Sequence, residues 1–154
     1  CQNLIVVRTF SKAFGVAGMR IGYTISNKKI IGYMLSIKPI YEINAFNMKL
    51  VRILIKNIKV MKNYVKEVHK GRMILKKFLH KRHIEMIGKY SNTVLFKLES
   101  KAKVDKVIKY LFKNKFIVRP MKIDNDDKYI RATLGSSKIM KKFTNKLKLA
   151  LELK

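Results

Sequence analysis

Between Ile43 and Leu79, apolar side chains return at helical intervals: Ile43, Phe46, Leu50, Leu54, Ile58, Met61, Val65, Val68, Leu75 and Leu79. Lys56, Lys59, Lys62, Lys66 and Lys70 fall between them, on the other side of the same wheel. A stripe with this period is an amphipathic helix that has to bury one face. At ~1.5 Å per residue a continuous helix of this reach would be ~55 Å long, more than the width of a small domain. It therefore predicts a connecting helical stretch, about residues 42–82, with different structure before and after it. Gly71 sits inside the stripe as a candidate bend or break.

The flanks read differently. Asn3 to Thr9 is a short β-branched run, residues 10–20 hold Gly15 and Gly18, and "RIGYTIS" (20–26) is a second strand candidate. Asn27 can cap a helix over 28–36, which Pro39 would end. Beyond Arg82 come two strand candidates, "HIEMIG" and "TVLFKL", separated by "KYSN". Residues 103–113 form an amphipathic pattern through Val104, Val107, Ile108, Leu111 and Phe112. Two short strands, "FIVRP" and "YIRATLG", surround the acidic turn "DNDDK", and a last helix over 137–153 aligns Ile139, Phe143, Leu147 and Leu151. The expected class is α/β: a strand–loop–strand start, a long connector, then a compact α+β unit with helices on a small, mostly antiparallel sheet. The expected divisions are 1–41, 42–82 and 83–154.

Composition narrows what such a chain can be. A 48% hydrophobic content is enough for a core and argues against disorder. No run approaches the ~20 apolar residues of a membrane span. "CQNLIVV" has no signal-peptide pattern and no initiator Met, so the expectation is that Cys1 is not the start of the gene product. A single cysteine excludes an internal disulfide framework and fits a reducing, cytoplasmic setting. The 36 Lys+Arg against 9 Asp+Glu give a formal charge of +27. That balance has two readings, a nucleic-acid binder or a compositional bias toward lysine and isoleucine. The basic residues are spread through every segment with no zinc-finger, RNA-binding aromatic or basic-zipper pattern, so no specific nucleic-acid partner and no membrane partner is expected.

The least repetitive stretch is "VRTFSKAFGVAGMRIGY", residues 7–23. Thr9 and Ser11 hydroxyls and the Arg20 guanidinium are good phosphate ligands, and the glycines allow close backbone approach. An amine forms a Schiff base only when neutral, a state that neighbouring cations favour. A phosphate clamp beside Lys12 suits a phosphorylated aldehyde, of which pyridoxal phosphate is the common one. On spacing alone, an ordinary surface lysine after a strand stands beside that reading.

"RTFSKAFGVAGMRIGY" resembles the cofactor-lysine segment of the class I/II (fold-type I) aminotransferases, nearest to the histidinol-phosphate aminotransferase group. The resemblance implies a Schiff-base linkage of Lys12 to pyridoxal 5'-phosphate, with Thr9, Ser11 and Arg20 as ligands of the cofactor phosphate. "KPIYEINAF" is similar to the stretch that follows, which implies Tyr41 near the substrate's distal group. "YSNTVLFKL" resembles a strand of the family's small domain, with Asn92 shaping that unit. "FIVRP" and "YIRATLGS" are similar to two further family segments. They imply Arg119 for a substrate phosphate or other distal anion and Arg131 for the amino acid's α-carboxylate. Bottom-up, an arginine on a strand is unusual as core, and a bidentate fork suits a carboxylate.

The resemblance covers the whole chain but only the C-terminal part of such an enzyme: residues 1–41 a remnant of the large cofactor domain, 83–154 the small domain. It implies that the carboxylate facing the pyridine nitrogen, the O3′ partners and the other phosphate loop lie elsewhere, so that these residues alone bind cofactor weakly and do not transaminate. In the intact enzyme, a homodimer by resemblance, Lys12 would shuttle the Cα proton between an amino acid and a keto acid or phosphorylated amine. Two other readings stand: a decarboxylase of the threonine-phosphate type, and a non-catalytic basic binding fragment. His80 and His83 have helical metal spacing without a third ligand, and "DNDD" lacks a calcium loop's glycine and final Glu, so no metal is expected.

Overall fold

A computed structural model describes residues 2–40 and 42–153, and the chain divides into two units, residues 1–63 and 64–154. In the first, strands β1 (Val6–Thr9) and β2 (Gly22–Ile25) pair antiparallel, with Thr9 opposite Gly22 and Val6 opposite Ile25. Helix α1 (Lys28–Ser36) follows, and the Asn27 side chain accepts from the Ile30 amide at 2.9 Å, the cap its sequence predicts. Helix α2 (Ala45–Lys56) starts on the same device, Asn44 accepting from Asn47 N at 2.8 Å.

The helical stretch expected over 42–82 is two helices, and the break is not at Gly71. Helix α3 (Ile58–His80) runs straight through Gly71, while α2 ends at Asn57. There the Asn57 side-chain amide donates back to the Ile53 carbonyl at 2.9 Å and satisfies the last turn in place of a further helical residue. Gly71 serves a different purpose. It is buried, and a Cβ on it would collide with the Gly135 carbonyl oxygen and lie 2.8 Å from Met140 Cγ. The glycine lets α3 press against the loop that leaves the sheet.

The second unit holds a four-stranded antiparallel sheet in the order β3-β4-β6-β5, built from β3 (Met86–Ile87), β4 (Thr93–Lys97), β5 (Arg119–Ile123) and β6 (Asp126–Thr133). Helices α4 (Lys101–Lys113) and α5 (Ser137–Leu151) begin at Ser100 and Ser136, each accepting an N3 amide. β3 is only two residues of "HIEMIG", and β5 starts at Arg119 rather than at Phe116, because Val118 turns into the core instead of pairing. The acidic turn shrinks to Asp124–Asn125, both at positive φ (45° and 68°), a two-residue hairpin loop of the kind that Asp and Asn tolerate.

The core lies in this unit. Val94, Phe96, Leu98, Ile130, Ala132 and Leu134 alternate along β4 and β6 and past their ends toward Leu75 and Leu79 of α3, Val104, Val107 and Leu111 of α4, and Met140, Phe143 and Leu147 of α5. Alternation with period two puts the residues between them on the opposite face. The first unit buries only Phe10 and Ile21 among the described residues, and leaves Val7 at 70% and Ile25 at 58% exposure. No helix among the described residues is long and apolar enough to cross a membrane.

Candidate active site

The loop between β1 and β2 is ordered by local hydrogen bonds and one aromatic cluster. Phe10 N donates to Ile21 O at 3.1 Å, closing the loop's mouth, and Val16 N reaches Phe10 O at 3.4 Å. Phe10 is buried and packs its ring on Phe14 (4.8 Å between centroids) and Tyr23 (5.9 Å). Within this frame Thr9 and Ser11 form a serine–threonine turn: Ser11 N donates to Thr9 Oγ1 at 3.0 Å, and Thr9 Oγ1 donates to Ser11 Oγ at 2.9 Å. The Ser11 O–H is thereby left to donate outward.

Lys12 follows, exposed, its carbonyl accepting from Gly15 N at 3.0 Å, with Gly15 at φ +72°. A one-turn 3-10 helix, Ala17–Met19, leads to Arg20, which adopts a left-handed backbone (φ 50°) and donates from Nη1 to Ala17 O at 3.2 Å. The remainder of the guanidinium fork is open. The side chain of Asn47, in the first turn of α2, donates to Met19 O at 3.2 Å and ties the loop to that helix. Among the described residues neither Lys12 nor Arg20 has a carboxylate partner. Thr9, Ser11, Lys12 and Arg20 thus lie along one loop, on which Thr9 and Ser11 touch each other and Arg20 bonds the Ala17 carbonyl. Hydroxyls, an amine and a guanidinium are groups that can hydrogen-bond an anion such as phosphate.

Gly22, not among the expected site residues, shapes the same loop. A Cβ there would stand 2.6 Å from the Arg8 carbonyl oxygen, so only glycine lets β2 lie this close beside β1 at the residue opposite Thr9. Its signal is the glycine two places after Arg20 in "RIG".

The second unit assembles a separate pair. Arg119 of β5 and Arg131 of β6 are Cα partners, both exposed, on the face away from the core. The same row continues through Leu95 of β4 to Ile87 of β3. In the next row Lys97 pairs with Asp126 at 2.7 Å and lies 5.6 Å from the Tyr129 ring. That hydrogen bond holds the Asp126 carboxyl below the usual range and the Lys97 amine above its own. Asn92 contributes through its backbone, its carbonyl accepting from Leu134 N at 2.9 Å. Tyr41 lies outside the described residues.

Arg72, which the helical stripe did not single out, anchors the β3–β4 turn. It is 8% exposed, and its guanidinium donates to the carbonyls of Gly88 and Ser91, one on each side of that turn. Burial pushes its pKa down, and the two carbonyls compensate the desolvated charge. Five residues earlier Glu67 accepts from Lys70 (2.8 Å) and from Ser137 (2.9 Å), which together hold its carboxyl below the usual range. Neighbouring turns of α3 therefore grip both loops at one end of the sheet that carries Arg131.

This architecture is shared with solved aminotransferases and related enzymes. The histidinol-phosphate aminotransferase of Sinorhizobium meliloti, solved in complex with pyridoxal-5'-phosphate, superposes with a TM-score of 0.80 at 18% identity, over 97% of this chain and 41% of that one. The L-threonine-O-3-phosphate decarboxylase of Porphyromonas gingivalis superposes with a TM-score of 0.78 at 19% identity, over 99% and 48%. These likenesses show the fold, a part of an α/β architecture. The aminotransferase class I and II family model matches residues 1–147, and the chain belongs to that family. Among curated relatives, the histidinol-phosphate aminotransferase of Methanocaldococcus jannaschii is 32% identical over 145 residues, which is 92% of this chain and 39% of that protein. The chain thus spans about two-fifths of the length of that relative.

Proposed function

We propose that these residues form the lysine-bearing part of a pyridoxal-phosphate-dependent aminotransferase, acting in the cytoplasm on small amino acid and keto acid substrates as part of a longer, dimeric enzyme. Residues 1–41 are then a portion of its larger cofactor-binding domain and 83–154 its small domain. The observation that supports the reading is that Thr9, Ser11, Lys12 and Arg20 share one loop, with Thr9 hydrogen-bonded to Ser11 and, among the described residues, no carboxylate paired with Lys12 or Arg20. Family membership favours transfer of the amino group over decarboxylation.

The residues present fit the cofactor's phosphate. Ser11 Oγ and the open edge of Arg20 would donate to it, and Thr9, hydrogen-bonded to Ser11, fixes where that hydroxyl points. Bound there, pyridoxal phosphate would supply an aldehyde for the Lys12 amine and a conjugated ring that stabilises negative charge at Cα. Lys12 Nζ is the amine that would anchor the group at rest, and the same amine, when free, would take the Cα proton and return it. Arg131 binds the α-carboxylate through a bidentate fork, and Arg119 beside it receives a second anion on the substrate, such as a phosphate. Tyr41 belongs on the substrate's distal side.

In the full-length polypeptide, Lys12→Ala should lower turnover between an amino acid and a 2-keto acid by at least ~10³-fold, while cofactor binding persists through the phosphate clamp. Turnover within a factor of two of the unsubstituted enzyme would refute the role of Lys12.

A further inference from the structure

Helices α4 and α5 lie side by side on the sheet and run antiparallel. Lys103 Nζ near the start of α4 donates to Leu153 O beyond the end of α5 at 2.7 Å, and Phe116, just past α4, meets Phe143 of α5 edge-on at 5.5 Å. Their buried sides are occupied by the core, through Val104, Val107 and Leu111 on one helix and Met140, Phe143 and Leu147 on the other. Their solvent sides carry lysines. Lys109 and Lys113 on α4 and Lys138, Lys141, Lys142 and Lys148 on α5 are all exposed, and none forms an ion pair among the described residues. Between Ser137 and Leu151 there is no acidic residue. The ridge has no part in the loop around Lys12 or the Arg119–Arg131 row.

We propose that this two-helix ridge binds the phosphate backbone of nucleic acid, without sequence preference. A lysine helix face without internal counter-ions keeps a mobile anion atmosphere, and a polyanion that replaces it gains the entropy of the ions released on both sides. The α5 lysines span ~15 Å of helix, and duplex DNA presents one negative charge per ~1.7 Å of its axis, so every lysine finds a phosphate. An anionic lipid surface fits less well. Interfacial helices insert a continuous apolar face, and on α5 that face, Met140, Phe143 and Leu147, is committed to the core, with Ile139 and Leu149 the exposed apolar side chains left among the lysines.

The test is fluorescence anisotropy of a labelled 20-base-pair duplex of random sequence with the 154-residue chain, from 50 to 300 mM NaCl. Binding at 100 mM NaCl with a steep salt slope is expected. The variant K138Q/K141Q/K142Q/K148Q should weaken it by at least ~10-fold and flatten the log–log slope by about 3 to 4, close to 0.9 per lost phosphate contact. The matched variant K56Q/K59Q/K62Q/K66Q removes equal charge elsewhere and should change affinity by less than ~3-fold. K109Q/K113Q on the other helix should shift binding in the same direction as the α5 set, which keeps the test standing if the quadruple variant unfolds. Equal losses from the α5 and Lys56–Lys66 sets, or no binding at 100 mM NaCl, would overturn the proposal. So would tighter binding to phosphatidylserine vesicles or to poly-glutamate than to the duplex.

Discussion

Arg119 and Arg131 face each other across β5 and β6 as direct cross-strand partners, and among the described residues no carboxylate stands with either. Like charges directly opposite on a ladder are unfavourable by several tenths of a kcal/mol. Leu95 and Ile87 complete the row, and the exposed pair is what the proposed function assigns to substrate anions.

Relieving the repulsion should therefore stabilise the unit while harming function. Arg119→Gln is expected to raise stability slightly, by up to ~0.5 kcal/mol in urea unfolding. In the full-length enzyme it should raise KM for a substrate with a second anion at least ~10-fold. Arg131→Gln should raise KM for every amino acid substrate.

Arg72 should behave as a keystone of the second unit. Arg72→Met leaves the Gly88 and Ser91 carbonyls without their donor, at ~1–3 kcal/mol each where they stay dry. An overall loss of about 2–4 kcal/mol in urea unfolding is expected, and a loss below 0.5 kcal/mol would show that water replaces the guanidinium.

Gly71→Ala tests the contact between α3 and the loop after β6. In a helix interior the exchange ordinarily gains ~0.5–1 kcal/mol. Here the added methyl meets the Gly135 carbonyl, so a net loss of stability is expected, read as a fall in Tm.

The Lys97–Asp126 pair gives the unit a pH dependence at both ends. Asp126 titrates lower in the folded chain than the ~3.9 of an unfolded one, so its contribution is complete above that value. It is lost as pH falls further, through the depressed folded value. Lys97 titrates higher than its unfolded ~10.4; its contribution is complete below that value and disappears as pH rises through the raised one. Asp126→Asn should flatten the acid limb of a Tm-against-pH curve below about pH 4.

Much of this was readable from the residues. Asn27 caps its helix, and the C-terminal end of the stripe, at Leu75 and Leu79, faces the core while Phe46, Ile58 and Val65 stay exposed. What escaped were contacts between segments remote in sequence. Gly71 reads as a break until Gly135 is seen against it, and Asn57 breaks the helix through a side-chain bond that no periodicity reports. Arg72 reads as one more surface cation although it is buried on two carbonyls, and Val118 leaves β5 because the core takes it.

Lys12, among so many lysines, is proposed to be the one beside a phosphate clamp. Borohydride trapping tests it on the 154-residue chain: incubation with pyridoxal phosphate at low micromolar concentration, reduction, digestion and mass spectrometry of every lysine peptide. Weak overall labelling without turnover is expected, with Lys12 modified at least ~10-fold more than any other exposed lysine, and loss of that preference in Ser11→Ala/Arg20→Gln. Labelling spread evenly over the exposed lysines, or a preference for Lys12 untouched by those substitutions, would contradict it.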